Sequence, residues 1–189
     1  MKFMQWVLTC VLFSASTSIA LGQTKPADNR TVSQIMDRAV GQAEGEFLPA
    51  ADAMPADKYS FAPTNGEFKG VRTFAQQVKH VSAVNYMIGA TILEQKPPVE
   101  LGGENGPDSI TTKADIIKFA KDSFAYLHKA LASINEKNQT DQVKNPFGEG
   151  KVTRLGIATV ALTHPFNHYG QMVEYLRMNG IIPPASRGQ

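Results

Sequence analysis

The sequence is short of several things, and each shortage excludes a class of function. Its single cysteine, Cys10, lies inside the N-terminal apolar stretch. That stretch has the build of an export signal: Lys2 as a minimal positive start, a mostly apolar run from Phe3 to Phe13, then small residues at Ser14, Ala15, Ser16, Ser18 and Ala20. Cleavage after Ala20 or after Gly22 meets the small-residue requirement. The apolar run is shorter than the ~20 residues a spanning helix needs, and Cys10 is not at its end, where a lipid-attachment cysteine belongs. A signal over residues 1–22 is therefore expected, with the mature chain exported to the periplasm or beyond. Losing Cys10 leaves no thiol, which excludes disulfides, cysteine metal ligands and a cysteine nucleophile together. No second apolar stretch approaches spanning length, so no stable membrane insertion is expected after cleavage. Charge of one sign is also missing. Without Lys2 the basic residues outnumber the acids by one, with no Lys/Arg cluster, which argues against nucleic acid as a partner. There is no phosphate-binding Gly loop, no nucleophile elbow, no His-Glu-x-x-His run, and no pair of Glu-x-x-His motifs of the di-iron bundle type.

What is present is helical periodicity. A chain of 189 residues, 42% hydrophobic and 19% charged, suits one packed domain. Residues 23–30 read as a solvated leader, 31–186 as the domain and 187–189 as a tail. Val32, Ile35, Met36, Ala39, Ala43 and Phe47 mark one apolar face of a first helix, with Pro49 and Pro55 as its candidate ends. A second helix is expected from Val71 to about Glu94, carrying Phe74, Val78, Val81, Val84, Ile88 and Ile92 on its apolar side. Thr112 with Asp115 resembles a capping arrangement, and Ile116, Ala120, Phe124, Leu127 and Leu131 follow it on a third helix. The fourth should start after Thr153, bend at Pro165 and stop at Gly180. Residues 95–110 and 135–150 read as connections, and no strand is expected. The fold class is all-α, a four-helix bundle. The connection between helices 2 and 3 is long enough to cross the ~30 Å of a 20-residue helix, which permits an up-down-down-up order.

The histidines carry the chemistry. His164 and His168 are four residues apart on one helix, so both rings leave the same face and can meet one ion. His80 sits at the edge of the apolar side of helix 2, beside Val84 and Met87 at helical spacing. Three neutral imidazoles from two facing helices suit zinc, nickel, iron or copper and leave a coordination position open. His128, next to Lys129 on helix 3, competes as a ligand but reads as a boundary residue. Gln171 and Tyr175 fall near the ligand face as outer-shell or pocket residues, against plainer roles in surface hydrogen bonding and core packing. Arg177 offers a charge for an anionic substrate group, or simply a helix-terminal cation.

With those residues located, the run His164-Pro165-Phe166-Asn167-His168-Tyr169-Gly170-Gln171, followed by Tyr175-Leu176-Arg177 and Gly180, resembles the fourth-helix signature of the DinB-like superfamily. Met54-Pro55-Ala56-Asp57-Lys58-Tyr59-Ser60-Phe61, with Phe74 and His80, is similar to the segment leading into that family's second-helix histidine. The resemblance implies a bundle of up-down-down-up topology with a long crossover between helices 2 and 3. It also implies a divalent metal, nickel or zinc, on the positions of His80, His164 and His168. Some members are transferases using low-molecular-weight thiols such as bacillithiol or mycothiol. Tyr169 stands where many relatives have Arg, and Pro165 is outside the usual pattern; neither change removes a ligand. Two functions follow as expectations. One is a metal-dependent transferase or hydrolase acting on a small molecule. The other is a non-catalytic envelope binding protein with a structural or vacant metal site. The sequence leaves a homodimer open in either case.

Overall fold

The structure is a computed structural model that describes residues 29–188. The expected signal and all but the last two residues of the leader lie outside the described residues. Four helices make up the bundle: α1 (Val32–Ala53), α2 (Phe74–Leu93), α3 (Lys113–Ala132) and α4 (Arg154–Met178). Each begins on a threonine, Thr31, Thr73, Thr112 or Thr153, whose hydroxyl accepts a hydrogen bond from the backbone N–H three residues on. At Thr31 and Thr73 the side chains of Gln34 and Gln76 reach back to the cap N–H and close a capping box. The Thr73 box places the start of α2 at Phe74, not at Val71, and so leaves Arg72 free of the helix. Pro49 and Pro165 lie inside continuous helices. At the far end of α4, Gly180 takes the left-handed conformation (φ +72°), and Ile181 N–H donates to the Leu176 carbonyl.

The expectation of no strand fails in the connection after α3. There β1 (Gln142–Lys144) pairs antiparallel with β2 (Lys151–Thr153), with Val143 opposite Val152. Strands of three residues supply too few alternations to register as a period. Burial of Val143 against the bundle holds the hairpin in place.

Side-chain pairings give the directions of the helices. Asn85 donates to Ser123, and one turn further on Gly89 faces Tyr126, so α2 and α3 run the same way. Ser33 bonds the Leu131 carbonyl while Phe47 packs on Phe124, so α1 and α3 run oppositely. Gln77 meets Gln171 near one end of α4 while Arg154, at its other end, bonds the Ile92 carbonyl and Glu94, so α2 and α4 are also opposed. Parallel neighbours cannot share a tight turn, and the long segment between α2 and α3 makes the return. That segment passes beside His80. Phe47, Phe74, Phe124, Leu127, Ile88 and Met172 are fully buried at the centre.

His128 has a different job from the other histidines. It lies between α1 and α3, its Nδ1 2.6 Å from Asp37 and its Nε2 3.1 Å from Glu44. Both nitrogens face carboxylates, so the ring is set to carry a proton as an ion-pair clamp. Burial alone would lower its pKa, but the hydrogen bonds and charges of Asp37 and Glu44 outweigh that and raise it above the ordinary 6.5. A raised folded pKa contributes stability that is fully present below the unfolded value near 6.5 and is lost as pH rises through the folded value. His128→Gln should therefore cost about 1 kcal/mol at pH 6 and less by pH 9, measured by urea unfolding of both proteins. A gap that stays constant over that range would contradict the clamp.

Candidate metal centre

His80 on α2 comes together with His164 and His168, which share one face of α4 as their helical spacing predicts. Their ring centroids form a triangle with sides of 5.0, 4.8 and 4.5 Å. One nitrogen from each lies within 4.8 Å of the others, a group that can hold a metal ion. His168 is buried, and the other two are half-buried.

Two of the rings are oriented by hydrogen bonds on their outer nitrogens. His80 Nδ1 lies 2.6 Å from the Glu104 carbonyl, and His168 Nδ1 lies 2.6 Å from Gln77 Oε1. Both partners are acceptors, so the proton of each neutral ring sits on Nδ1 and the Nε2 lone pair is left for the centre. Gln77 is held in its turn: its Nε2 donates to Gln171 Oε1 at 2.8 Å, and Gln171 Nε2 donates to Asn167. A chain of three side chains, Gln77, Gln171 and Asn167, thus orients one imidazole. His164 Nε2 is 3.1 Å from His80 Nε2, and its buried Nδ1 has no hydrogen-bond partner. Leaving a buried nitrogen unpaired costs about 1–3 kcal/mol.

Electrostatics keep the cluster neutral. Burial, then the neighbouring His168, His80 and Arg72 charges, pushes His164 down to about 3. Burial, with His80 and Arg72, takes His168 to about 4. His80 is lowered by burial and Arg72, against an opposing pull from Glu104. Near pH 7 all three rings are neutral, as metal donors must be. Three imidazoles of borderline softness, two with fixed tautomers, fit a divalent transition ion.

The segment between α2 and α3 completes the surroundings. Lys79 is buried and donates to the Pro107 carbonyl at 2.8 Å, pinning the loop to α2. Gly106 (φ +74°) sits so close to that lysine that an added Cβ would be 2.5 Å from Lys79 Cβ. From His80 an open cavity of about 350 Å³ runs along α2, lined by Ala83, Val84, Met87 and Leu101 and bordered by Gly102 to Glu104.

The expected outer residues are placed differently from one another. Gln171 does reach the site, through Gln77. Tyr175 is buried; its ring packs edge-on against Phe61 and its hydroxyl donates to the Arg72 carbonyl at 2.9 Å, so it tethers the segment ahead of α2 and bonds to no histidine. Arg177 is exposed and pairs with Glu174 on its own helix. His128, the competing ligand, is bound to Asp37 and Glu44 instead. Sequence reasoning missed Gln77, although it lies three residues before His80 on the same helix and so near the same face. It also missed Glu104, which acts through its backbone and left no side-chain signal. Gln77→Leu keeps the volume and removes the acceptor. It should weaken zinc binding about 10–100-fold in competition with a chromophoric chelator, whereas unchanged affinity would show that the amide does not orient His168.

Residues 39–172, more than half of the chain, match the family model of the DinB superfamily. No curated protein matches. Among solved structures, a DinB-like protein from Bacillus subtilis superposes with a TM-score of 0.59 at 18% identity, covering 77% of this chain and 92% of that one. A DinB-like protein from Bacillus cereus superposes at 0.63 and 16% identity, covering 82% and 96%. A conserved protein from Enterococcus faecalis also superposes at 0.63 and 16%, covering 79% and 97%. At these identities the likeness concerns the fold. The family match, the four-helix architecture and the histidine cluster agree, and the chain belongs to the DinB superfamily.

Proposed function

We propose that the protein is an exported DinB-superfamily member that holds one divalent ion, zinc or nickel ahead of iron or copper, through His80, His164 and His168. In this reading it uses the ion to act on a small molecule as a transferase or hydrolase. The observation that carries the reading is the convergence of three neutral imidazoles, two of them hydrogen-bonded through Nδ1 so that Nε2 points inward. With three protein donors, an ion here would supply a Lewis acid that has room for an exogenous ligand. His80 and His168 are held rigid by Glu104 and Gln77, which spares reorganisation during a reaction. The apolar wall of Ala83, Val84, Met87 and Leu101 next to His80 would take the body of the substrate.

Cobalt substitution tests the open position. Added imidazole should shift the visible bands of the cobalt form. Bands that respond to no exogenous ligand would favour the non-catalytic binding protein, with the ion structural. Export rests on Met1 to Gly22, and N-terminal sequencing of the mature protein should begin at Leu21 or Gln23. If it does, any thiol in the reaction must come from outside the chain, and the mainly cytosolic low-molecular-weight thiols are poor candidates.

A further inference from the structure

We infer that Arg72 is an anion anchor beside the histidine cluster and that the substrate carries a carboxylate. The inference deepens the metal reading above and rests on it. Arg72 Nε and His80 Nδ1 both donate to the Glu104 carbonyl, at 3.3 and 2.6 Å, so one oxygen atom separates the guanidinium from a ring of the cluster. The same edge of the guanidinium also meets a carboxylate: Nη2 lies 3.0 Å from Glu104 Oε2, and that side chain is 85% exposed. Arg72 is itself mostly covered, at 27% exposure. A planar guanidinium suits a carboxylate in geometry and charge. Here the slot already holds one, on a side chain that is free to swing into solvent.

Arg72 does not sit where helix stability would put it. It immediately precedes the Thr73 cap of α2, and a cation there opposes the helix dipole. Its backbone is nonetheless fixed, because Tyr175 Oη donates to its carbonyl from within the core. The ion pair with Glu104 is worth little by itself, since one partner is almost fully exposed. Charge favours the same reading. A dication on three neutral imidazoles keeps its full charge, and the Arg72 guanidinium stands one oxygen atom away from one of those rings. The acid that touches this group is Glu104, with Oε2 4.0 Å from His80 Nδ1. An incoming carboxylate would displace the Glu104 side chain from Arg72 while the Glu104 backbone carbonyl kept its hold on His80.

The two side chains therefore have opposite effects on anion binding, which makes the inference testable without knowing the substrate. The cobalt-loaded full chain is titrated with acetate and, separately, with neutral imidazole, following the visible bands. Arg72→Gln should weaken acetate about tenfold, the loss of one charge-assisted contact at a partly exposed site. Glu104→Gln, which keeps the backbone contacts, should tighten acetate by about threefold on the same grounds. Imidazole affinity should stay within about twofold in both variants, since it gains nothing from the guanidinium. Acetate affinity unmoved by either variant, or imidazole falling in step with acetate, overturns the anchor while leaving the metal reading intact. A wild-type chain that binds no cobalt overturns both. If Arg72→Gln does not fold, the Glu104→Gln titration decides alone, and acetate binding that is unchanged or weaker overturns the anchor.

Discussion

His168→Ala should bind zinc at least about a hundredfold more weakly than the wild type and lose most of the rise in melting temperature that zinc brings. His168 is the most covered of the three histidines, at 8% exposure, and the one whose orientation is fixed through a chain of side chains. Histidine and cysteine donors in structural zinc sites together supply roughly 10–16 kcal/mol, so one donor is worth on the order of 3 kcal/mol, or about two powers of ten. The variant keeps His80 and His164, which still approach each other through Nε2, but two imidazoles leave half of a tetrahedral shell to water. An ion that binds only the folded chain raises stability in proportion to the logarithm of its concentration over its Kd. A hundredfold weaker site should therefore lower the zinc-dependent stabilisation by about 2.7 kcal/mol at saturating metal. Differential scanning calorimetry with and without zinc reads this directly. Equal zinc shifts in wild type and variant would mean that the ion binds elsewhere.

Gly106→Ala should damage the site from the loop side. Gly106 is left-handed, and an alanine held there costs about 1–3 kcal/mol. Its Cβ would also lie 2.5 Å from Lys79 Cβ and 3.0 Å from the Lys79 carbonyl carbon, which belongs to the α2 backbone and cannot yield. The loop has to lift. Lifting breaks the Lys79 bond to Pro107 and carries away the Glu104 carbonyl that orients His80. The result expected is a lower melting temperature together with about 10–100-fold weaker zinc binding, the usual consequence of losing an outer partner of a metal histidine. Destabilisation with unchanged zinc affinity would show that His80 needs no support from this loop.

The parts of this molecule that repeat locally were legible in its sequence. Val78, Val81, Val84, Ile88 and Ile92 on α2, or Ile116, Ala120, Phe124, Leu127 and Leu131 on α3, declare a helix face because each sits three or four residues from the next. Thr112 and Thr153 add two of the starts, although the Val71 start shows that a period alone places a boundary only within a turn. His164 and His168 were legible for the same reason, since four residues on a helix is a distance in space as well as in sequence. What depended on the meeting of distant segments was not. Gln77 is an ordinary helical glutamine until His168 is brought to it. Glu104 contributes a carbonyl that every residue possesses. Tyr175 was expected near the ligands because of its face on α4, but its hydroxyl goes to the Arg72 backbone, which no spacing rule reaches. His128 looked like a spare ligand until α1 supplied Asp37 and Glu44 to its two nitrogens.

The most direct test of the account is the metal content of the full mature chain. The protein is dialysed against excess zinc, freed of unbound ion and measured by elemental analysis, alongside a variant with His80, His164 and His168 all changed to Ala. The histidine centre predicts one zinc per chain in the wild type and none in the variant. A wild-type chain that retains no zinc, or a variant that retains as much as the wild type, would contradict it.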